Sequence, residues 1–564
     1  MKNRILTAAL ALLLCAALAF TMTGCRGGSS DPGQTEAPSS SDYVQATAAS
    51  DSSVSASEVS GEFVMTSADG VFSRNGSVYT VTSAGTYSLR GALEGQILVI
   101  AGKEDVVVLE LNGVTITNSS DSPIKILSAD KVEISAKKGT DNVIKDERSQ
   151  KTTDDDSQGG GAIWADADLK LKGAGTLVVT ASYNNGIHTT KDLTIQKLSL
   201  KVTAVNAAIK GNDSIKIKSG TVVAISTFGD GMKTSSTDLN KSGETRGDIV
   251  FCGGSIAVYA AGDGIQAAHS FIMEPDEEGN VPAVSIFTGS YSDYTDDSAS
   301  TDSYKGVKAE SKIDISAGAI TISSYDDGLH ANCGTTFESG ERGMGDINIS
   351  GGSITIAVYS PEGKTGGGHM GPGRPGGHGG WGGQQTVSGA DGIHADGALT
   401  ISGGDIYIDS AYEGLEANVV VIEGGTTVVT AMDDGVNATK GLESPQVIVT
   451  GGILDVTVSP NGDVDGIDSN GTYVQTGGLV ITRGPNSEMA AALDAESSVS
   501  ITGGTLVVLG YSRVQAGSGV NSCLLSLNSE GEHSITVNGS TYTFTNAYSY
   551  GRTSCYSDTS VSGK

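Results

Sequence analysis

The sequence has few basic residues and little proline, and each shortage excludes a class of protein. Its 35 lysines and arginines are outnumbered by 65 aspartates and glutamates, so the net charge of −30 excludes the basic surface that nucleic-acid binding needs. With 11 prolines beside 79 glycines, the chain is not collagen-like. We therefore expect an exported protein that handles cations, or polymers that are uncharged or bridged by cations, with no nucleic-acid partner.

A sustained helical period is also missing after residue 25. The 564 residues are too many for one ordinary core, which stops growing near ~250–300 residues. Two solutions remain: several domains, or a repeat array in which each unit buries its face against its neighbours. A motif that recurs along the sequence favours the array.

The N-terminal part of the chain, up to Ser60, has the composition of an export signal followed by a linker. Two basic residues precede an apolar run that ends at Phe20, and Gly24 stands before Cys25, which is the pattern of a bacterial lipoprotein signal. We predict a signal peptide over residues 1–24, lipidation of Cys25, and a disordered Ser/Gly/Ala-rich linker over residues 25–60. This predicts a protein anchored by lipid at the extracellular face of the bacterial cell membrane. The alternative is an ordinary secretory signal with an incidental cysteine.

A short motif, named here the Asp-Gly motif, recurs through most of the remaining chain: an acid or another polar residue, glycine, an aliphatic residue, a polar residue and often alanine. The aliphatic residues of its copies, some of them degenerate, are Ile163, Ile187, Ile209, Met232, Ile265, Val307, Leu329, Ile393, Leu415, Val436, Ile467 and Leu493. The short steps between copies are about 22 residues, a period typical of repeat proteins. The sequence between copies alternates apolar and polar residues, which predicts strands, and contains glycine pairs, which predict turns.

Three short strands in each unit of ~22 residues predict an all-β fold, a right-handed parallel β-helix of about a dozen rungs. We place this domain over residues 61–510, with a disordered glycine-rich insert at 361–386, and a C-terminal β cap over 511–564. A propeller needs ~40–45 residues per blade, and the nonapeptide calcium β-roll has a shorter period, so both fit worse.

Stacking the repeats brings the acids of the Asp-Gly motif into a column, because equivalent residues of neighbouring rungs lie ~4.8 Å apart. Carboxylates this close repel each other, and Ca²⁺, which accepts 6–8 oxygen ligands, relieves the repulsion. The predicted Ca²⁺ ligands are Asp326, Asp327, Asp433, Asp434, Asp463 and Asp465. The alternative is that Asp-Gly is turn chemistry and that the acids are solvated.

Two further columns flank the acids. The polar residue after each aliphatic residue points outward, where His330 and His394 are candidates for sugar binding or partners in salt bridges. A metal site at these histidines is disfavoured because they lie on different rungs. Tyr325 and Tyr412 precede the acids, so their rings either stack on sugars or pack at the corner.

The segments 91–97, 108–116, 122–124 and 139–142, with Asp-Asp-Gly-Leu-His-Ala at 326–331, resemble the clostridial carbohydrate-binding β-helix family. The fold of that family is similar to that of pectate lyases. The resemblance implies binding of cellulose and of acidic sugars such as polygalacturonate, with bound Ca²⁺ and no demonstrated catalysis. Because aromatic residues are only 5% of the chain, the cation-bridged acidic polymer fits better than crystalline cellulose.

Three functions stay open. We predict a monomeric, lipid-anchored surface protein that binds polysaccharide without catalysis. The alternative enzyme is a Ca²⁺-dependent polysaccharide lyase of the pectate type, in which Lys233 or Lys308 removes the proton beside a uronate carboxylate. The third is a surface adhesin or spacer without a sugar ligand.

Cys523 and Cys555 are the better candidates for a disulfide, which the sequence leaves open.

Overall fold

The computed structural model describes Ala48 and residues 51–150, 160–289, 303–359 and 389–564. Every named regular element of these residues is a strand, which confirms the predicted all-β class. Most of the strands belong to three long ladders, here named A, B and C, which each repeat visits in turn.

Several sequence predictions fall outside the described residues. These are the signal peptide over 1–24, the lipidation of Cys25, most of the linker over 25–60, and the insert at 361–386. Among the described residues, no helix is long and apolar enough to cross a membrane.

Ladder A holds the strands that contain the aliphatic residue of the Asp-Gly motif, and successive strands pair in parallel. Its strands are Val78–Val81, Gln96–Ile100, Ile124–Ser128, Gly161–Ala165, Asn185–Thr189, Ile209–Gly211, Met232–Lys233, Ile265–Ala267, Val307–Ala309, Leu329–Ala331, Ile393–Ser410, Leu415–Ile422, Val436–Ala438 and Ile467–Ser469.

Ladder B follows ladder A in each repeat and is also parallel. Its strands are Gly85–Glu94, Val106–Asn118, Lys131–Ala136, Asp168–Gly173, Asp192–Gln196, Ser214–Ile217, Asp248–Phe251, Ser270–Met273, Lys312–Ile315, Asp346–Val358, Gln446–Val449, Thr472–Gln475, Ser498–Ile501 and Val514–Ala516, with the middle of Ile393–Ser410 and the end of Leu415–Ile422.

Ladder C completes the repeat and is again parallel. Its strands are Asp141–Asp146, Thr176–Ala181, Leu198–Ala204, Gly220–Ser226, Gly254–Ala260, Pro282–Thr288, Ala319–Ser324, Thr426–Thr430, Ile453–Thr457, Leu479–Arg483 and Thr505–Leu509, with the ends of Gly85–Glu94, Val106–Asn118, Asp346–Val358 and Ile393–Ser410.

The register of ladder A is the one that the spacing of the motif predicts. Ile187 pairs with Ile209, although each of these residues belongs to a different copy of the motif. Leu329 pairs with Ile393 across the longest interval between copies, and Ile393 pairs with Leu415 across one of the shortest. The register of neighbouring repeats is therefore the same across a long interval between copies as across a short one.

The core is a continuous apolar column rather than a single globular centre. Side chains alternate along each strand, and the inward ones, such as Ile187, Leu329 and Ile393, are fully buried. Each repeat covers the inner face of its neighbours, so the core lengthens with the chain without growing thicker. This explains how 564 residues fold with little aromatic content.

Glycine pairs form the turns between ladders B and C. At Gly425 the backbone has a φ of 73°, in the left-handed region that favours glycine. A Cβ atom at this position would stand 2.4 Å from the carbonyl oxygen of Gly404, the equivalent turn one repeat earlier. Both the conformation and the close stacking of turns therefore require glycine here.

Antiparallel strands close the two ends of the stack. At the start, Val64–Ser67 pairs with Gly85–Glu94, and Phe72–Asn75 forms a hairpin with Val78–Val81. At the end, Thr553–Ser557 pairs with Thr505–Leu509. The remaining strands of this end are Asn521–Cys523, Gly531–Val537, Ser540–Asn546 and Val561–Gly563, and a separate hairpin joins Cys333–Thr336 to Arg342–Met344.

The C-terminal strands pack around one buried arginine. Arg483 is fully buried, its guanidinium donates to Asp455 and, at 2.6 Å, to Asn546, and it lies 4.8 Å from the ring centre of Phe544. Asp455 also accepts a hydrogen bond of 2.8 Å from Tyr542. This network joins the last repeats to the terminal strands.

The end of the segment that we predicted as a disordered linker is attached to the stack. Ala48 and Val54 are buried against Val223 and Ile225, two apolar residues on the outer side of ladder C. The hydroxyl of Tyr259 donates to the Asp51 carboxylate at 3.3 Å. Residues 51–60 therefore differ from the prediction, because outward apolar side chains of the stack give this polar segment a surface to cover.

Candidate functional site

The Asp-Gly motif forms the corner between ladders C and A, and backbone hydrogen bonds stack this corner from repeat to repeat. The amide of Gly328 donates to the carbonyl of Asp391, and the amide of Gly392 donates to the carbonyl of Glu413, both at 2.9 Å. Since the backbone is periodic here, the side chains at each position of the motif form columns along the stack, and the aliphatic column is directed inward.

Glycine in this corner is required by the close approach of the next repeat. A Cβ atom at Gly414 would lie 2.1 Å from a methyl group of Val429 and 2.4 Å from the carbonyl oxygen of Gly435. Real Cβ atoms do not approach this closely, so any larger residue would separate the two repeats. The tight corner holds the neighbouring acids in fixed positions.

One oxygen of each corner acid has a structural role. Asp327 accepts the amide of Asp391 at 2.8 Å, Asp391 accepts the amide of Glu413 at 3.1 Å, and Asp434 accepts the amide of Asp465 at 2.7 Å. The alternative interpretation expected solvated acids at Asp-Gly turns, whereas these three carboxylates accept backbone amides of the following repeat. The second oxygen of Asp327 contacts Lys305 and His330, and the second oxygen of Asp391 contacts His394.

Lysines neutralise the acids in the earlier repeats. Lys233 contacts Asp230 at 2.9 Å, and Lys305 contacts Asp326 at 2.9 Å and Asp327 at 2.6 Å. Burial opposes the charge of Lys305, but the two aspartates outweigh it and raise the pKa of the ammonium well above its usual value. Two of the six predicted Ca²⁺ ligands therefore hold an ammonium group.

Two histidines occupy the outward column in the next repeats. The rings of His330 and His394 are stacked, with centres 4.5 Å apart and an angle of 14° between the planes. His330 Nδ1 lies 2.6 Å from Asp327 Oδ2, and His394 Nδ1 lies 3.0 Å from both Asp391 Oδ2 and Glu416 Oε2. The histidines are thus joined to the acids of the corner and to each other.

The protonation of these histidines follows from their carboxylates. Burial opposes the charge of His394, but Asp391, Asp396 and Glu416 outweigh it and raise the pKa of the imidazole well above its usual value. Burial lowers the pKa of His330, which faces the Lys305 ammonium as well as an aspartate. The two stacked rings consequently differ in their tendency to carry charge.

The later repeats contain a cluster of acids, named here the acid zone. It consists of Glu413, Asp433, Asp434, Asp463, Asp465, Asp468 and Asp494. Within the described parts of the chain, none of these carboxylates forms an ion pair with a lysine, arginine or histidine, whereas the neighbouring Lys440 pairs with Glu496 at 3.9 Å. The acid zone is therefore a concentration of carboxyl groups without a basic partner among the described residues.

Burial, together with repulsion by neighbouring carboxylates, raises the pKa values of Glu413, Asp433, Asp434, Asp465 and Asp468. Burial and then Asp391 and Glu416 raise the pKa of Glu413 to about 10. Burial is also the first cause at Asp434 and Asp465, where the pKa values rise to about 8 and about 7. Near neutral pH these groups therefore hold protons unless a cation takes their place.

Comparison with known proteins gives the family. A family model described as "carbohydrate-binding domain-containing protein" matches residues 75–363, 342–435 and 381–550. The chain belongs to this family. This result confirms the carbohydrate-binding family that the sequence resemblance indicated.

Two known proteins illustrate the match. A carbohydrate-binding domain-containing protein of Acetivibrio thermocellus is 41% identical over 132 residues, which are 23% of this chain and 44% of the relative. The match thus spans less than half of the length of that relative. A solved structure of a polysaccharide lyase-like protein from C. thermocellum, a gadolinium derivative, is 33% identical and covers 44% of this chain and 91% of its own, with a TM-score of 0.38.

The predicted metal ligands are only partly brought together. Among the residues that the structure describes, two sets of three possible ligand atoms lie within 4.8 Å of one another, namely Asp327, His330 and His394, and Asp391, His394 and Glu416. Of the six predicted Ca²⁺ ligands, only Asp327 belongs to such a set. Asp433, Asp434, Asp463 and Asp465 lie in the acid zone, and their role in Ca²⁺ binding stays a prediction.

The predicted sugar-binding residues lie along the same corner. Tyr325 is half-buried, and its ring centre lies 5.6 Å from that of Tyr359, which is exposed. A Cβ atom at Gly389 would lie 1.7 Å from Cγ of Tyr412, so the tyrosine side chain packs directly against this glycine. Burial and a hydrogen bond with Asp433 raise the pKa of the Tyr412 hydroxyl well above the usual value. Tyr412 therefore packs at the corner on one face.

Sequence reasoning missed three parts of this site. It disfavoured a metal site because the histidines lie on different rungs, whereas neighbouring repeats bring the rings of His330 and His394 into contact. It also missed the contacts of Asp391 and Glu416 with His394, and the pairing of Lys305 with two acids. The available signal was alignment of the motif copies, which places Glu416 one repeat after His394.

Proposed function

We propose that this protein binds an acidic polysaccharide, such as polygalacturonate, without catalysis, and that Ca²⁺ held by the acid zone bridges protein and polymer carboxylates. The observation that carries the proposal is the acid zone itself, a set of half-buried or exposed carboxyl groups with no basic partner among the described residues. Binding to the neutral polymer cellulose is the comparison that tests whether the protein prefers an acidic polysaccharide.

The proposed architecture is the right-handed parallel β-helix of about a dozen rungs. Its support is the return of each chain segment to the same three parallel ladders at the register of the Asp-Gly motif. Connections between parallel strands of one sheet are right-handed in about 98% of cases, which supports the hand. Such a helix presents its corner residues as straight columns, a suitable geometry for an extended polymer.

Ca²⁺ is the cation that best fits the acid zone. Its donors are carboxylate oxygens, and Ca²⁺ takes 6–8 oxygen ligands in flexible geometry. The first oxygen of Asp434 is held by the amide of Asp465, so the second oxygen is directed by the fold. The ligand set that we propose is Asp433, Asp434, Asp463 and Asp465, and uronate carboxylates of the polymer complete the shell.

Partly exposed side chains beside the column supply the proposed sugar contacts. Tyr325 and Tyr359 form a tilted pair of rings, and Met432 is half-exposed next to the acids. Aromatic and thioether groups of this kind cover the apolar faces of sugar rings. His330 and His394 lie in the adjacent column and complete the proposed sugar-binding surface.

The lyase alternative is weaker because its candidate bases are distant from the acid zone and already paired. Lys233 contacts Asp230 at 2.9 Å, and Lys308 contacts Glu310 at 3.6 Å. Four steps of ladder A separate the repeat of Lys308 from that of Asp434, which is about 19 Å at ~4.8 Å per step. Neither lysine reaches a uronate held at the acid zone.

We also propose that the protein acts at the extracellular face of the cell membrane. The lipoprotein-type sequence that ends at Cys25 supports a lipid anchor, and residues 51–60 lie against the stack. The folded domain would then be held at the extracellular face of the membrane, where polymers outside the cell are accessible. We propose that the protein acts there as a monomer.

The test is retention on immobilised polygalacturonate with Ca²⁺ and with a chelator, beside cellulose and a neutral soluble glucan. We expect retention on polygalacturonate with Ca²⁺, release by the chelator and no unsaturated uronate product. Accumulation of that product would establish the lyase instead. Failure to bind any of the glycans in either buffer would leave the adhesin or spacer.

A further inference from the structure

One ring nitrogen in the histidine pair faces two carboxylates at once. His394 Nδ1 lies 3.0 Å from Asp391 Oδ2 and 3.0 Å from Glu416 Oε2. His394 and Glu416 are direct neighbours in ladder A, and Asp391 precedes His394 in the corner turn. Three potential ligand atoms from two repeats therefore converge on one point at the rim of the corner.

The other nitrogen of the same ring already has a partner. His394 Nε2 lies 3.3 Å from Asp396 Oδ1, and Asp396 is itself fixed because its second oxygen accepts the amide of Cys333 at 2.9 Å. With the proton on Nε2, the ring directs the lone pair of Nδ1 toward Asp391 and Glu416. A histidine that binds a metal almost always donates its other N–H to a carboxylate or carbonyl in this way.

A lone pair opposite two carboxylates is unfavourable unless a positive group lies between them. A proton on Nδ1 can point at only one of the two oxygens, which leaves the other without a donor from this ring. A metal ion satisfies all three atoms together. Asp391 is also oriented for this role, since its first oxygen accepts the amide of Glu413 at 3.1 Å.

We propose that His394 Nδ1, Asp391 Oδ2 and Glu416 Oε2 form a site for a divalent transition-metal ion of the Zn²⁺ class, separate from the Ca²⁺ ligands of the acid zone. Ligand distances of about 2.0–2.2 Å place the atoms about 3.4 Å apart around a tetrahedral ion, so the observed 3.0 Å contacts need to open by only a few tenths of an ångström. Three protein ligands leave a fourth position for water or for a carboxylate of a ligand.

The ligand atoms determine which metal fits the site and which of the two sets of possible ligands is more suitable. Imidazole suits Zn²⁺, Cu²⁺ and Ni²⁺, whereas Ca²⁺ prefers sites made only of oxygen. The second set, with Asp327 and His330, is less suitable because the Lys305 ammonium lies 2.6 Å from the Asp327 oxygen that a metal would need. The stacked His330 ring instead shields one side of His394.

The test measures Zn²⁺ and Co²⁺ binding to the folded domain in the presence of a large excess of Ca²⁺. Two further histidines, His369 and His378, lie outside the described residues, so all proteins carry H369Q and H378Q to remove that source of binding. We expect one Zn²⁺ per chain by titration calorimetry, and a Co²⁺ visible spectrum that Zn²⁺ abolishes. The spectrum is a readout that a salt bridge alone does not produce.

Variants of the site give the decisive comparison. We expect H394Q to abolish the Co²⁺ spectrum and D396N, which removes the partner of the other nitrogen, to weaken Zn²⁺ binding by about 10–100-fold. The matched control is H269Q, because His269 also contacts two carboxylates. Its Nδ1 lies 2.7 Å from Asp248 and its Nε2 lies 3.4 Å from Glu341, so the two carboxylates face opposite sides of the ring and no single ion can join them.

Each result either supports or overturns the site. Zn²⁺ binding that is unchanged in both H394Q and D396N overturns the proposal, as does the absence of Zn²⁺ binding in the parent protein. Should H394Q fail to fold by circular dichroism, E416Q replaces it, since this ligand can be changed without altering the corner turn. Loss of binding in H269Q equal to that in H394Q would also overturn the assignment. The outcome is independent of glycan retention.

Discussion

Replacing Asp434 with asparagine removes one titratable carboxyl group from the acid zone and keeps the structural hydrogen bond. The side-chain amide oxygen of the D434N variant can still accept the backbone amide of Asp465, which the carboxylate accepts at 2.7 Å. Burial and neighbouring acids raise the pKa of Asp434 from 3.8 to about 8. The substitution therefore separates the effect of the charge from the effect of the turn.

The raised pKa of Asp434 determines whether the stability of the protein rises or falls with pH. Between about pH 4 and pH 8 the folded protein holds a proton on Asp434 that the unfolded chain has released, so the stability of the metal-free protein falls as pH rises through this window. At ~1.4 kcal/mol per pKa unit, four units correspond to at most ~6 kcal/mol. Solvent screening at this partly exposed corner reduces the difference, and we expect ~1–3 kcal/mol.

The assay is scanning calorimetry at pH 5 and pH 8, with chelator and with Ca²⁺. With chelator, we expect D434N to melt above the wild type at pH 8 and close to it at pH 5. With Ca²⁺ at pH 8, the wild type should gain stability and D434N should gain less. The control is E104Q, which removes an equal charge from an exposed acid in a distant turn. A D434N melting temperature below that of the wild type at pH 8, with equal shifts by Ca²⁺, would refute the reasoning.

Three other outcomes follow from the fold and the signal sequence. G414A should destabilise the protein by about 1–3 kcal/mol in calorimetry, because the new Cβ collides with the carbonyl of Gly435. R483M should cost about 3–5 kcal/mol, since it leaves the buried Asp455 carboxylate without its charged partner. C25S should move the full-length protein from the membrane fraction to the soluble fraction and abolish its labelling by fatty acid.

The variants G414A and R483M each have a matched control. G102A changes a glycine in an exposed turn whose only close neighbour is the side chain of Asp105, and R513M breaks a surface pair with Glu488 at 3.1 Å, so both should change stability by less than ~1 kcal/mol. Equal effects of R513M and R483M would contradict the role of the buried pair. Membrane association that persists in C25S would contradict the predicted lipid anchor.

The all-β class and the register were predictable because both depend on spacing. Once Leu329 and Ile393 are recognised as copies of one position, their pairing follows despite the long insertion between them, since a loop of any length can leave a parallel stack. The acid column was predictable for the same reason. What spacing cannot reveal is which atoms of aligned side chains meet.

The missed contacts show this limit in particular residues. Lys305 stands where other copies of the motif have an acid, and its long side chain reaches Asp326 and Asp327 in the following repeat. His394 joins Glu416 because the two side chains share one outward column. These pairings depend on side-chain length and direction, which the period of the motif does not contain.

The contacts between residues 51–60 and the stack were not predicted, for a different reason. Composition alone predicted a disordered linker to residue 60, yet Val54 is buried beside Val223 and Ile225. Low apolar content predicts that a segment has no core of its own, and this is correct here. It does not predict that another part of the chain offers apolar side chains for the segment to cover.

The most direct measurement of the central claim is the affinity for soluble oligogalacturonate, by titration calorimetry, with Ca²⁺ and with chelator. The wild type is compared with the triple variant D434N/D465N/D468N of the acid zone and with E104Q/E423Q/E530Q, an equal change of charge at exposed acids elsewhere. We predict Ca²⁺-dependent binding in the wild type and the control, its loss in the acid-zone variant, and no unsaturated product. Binding that survives both the chelator and the acid-zone variant would contradict the account.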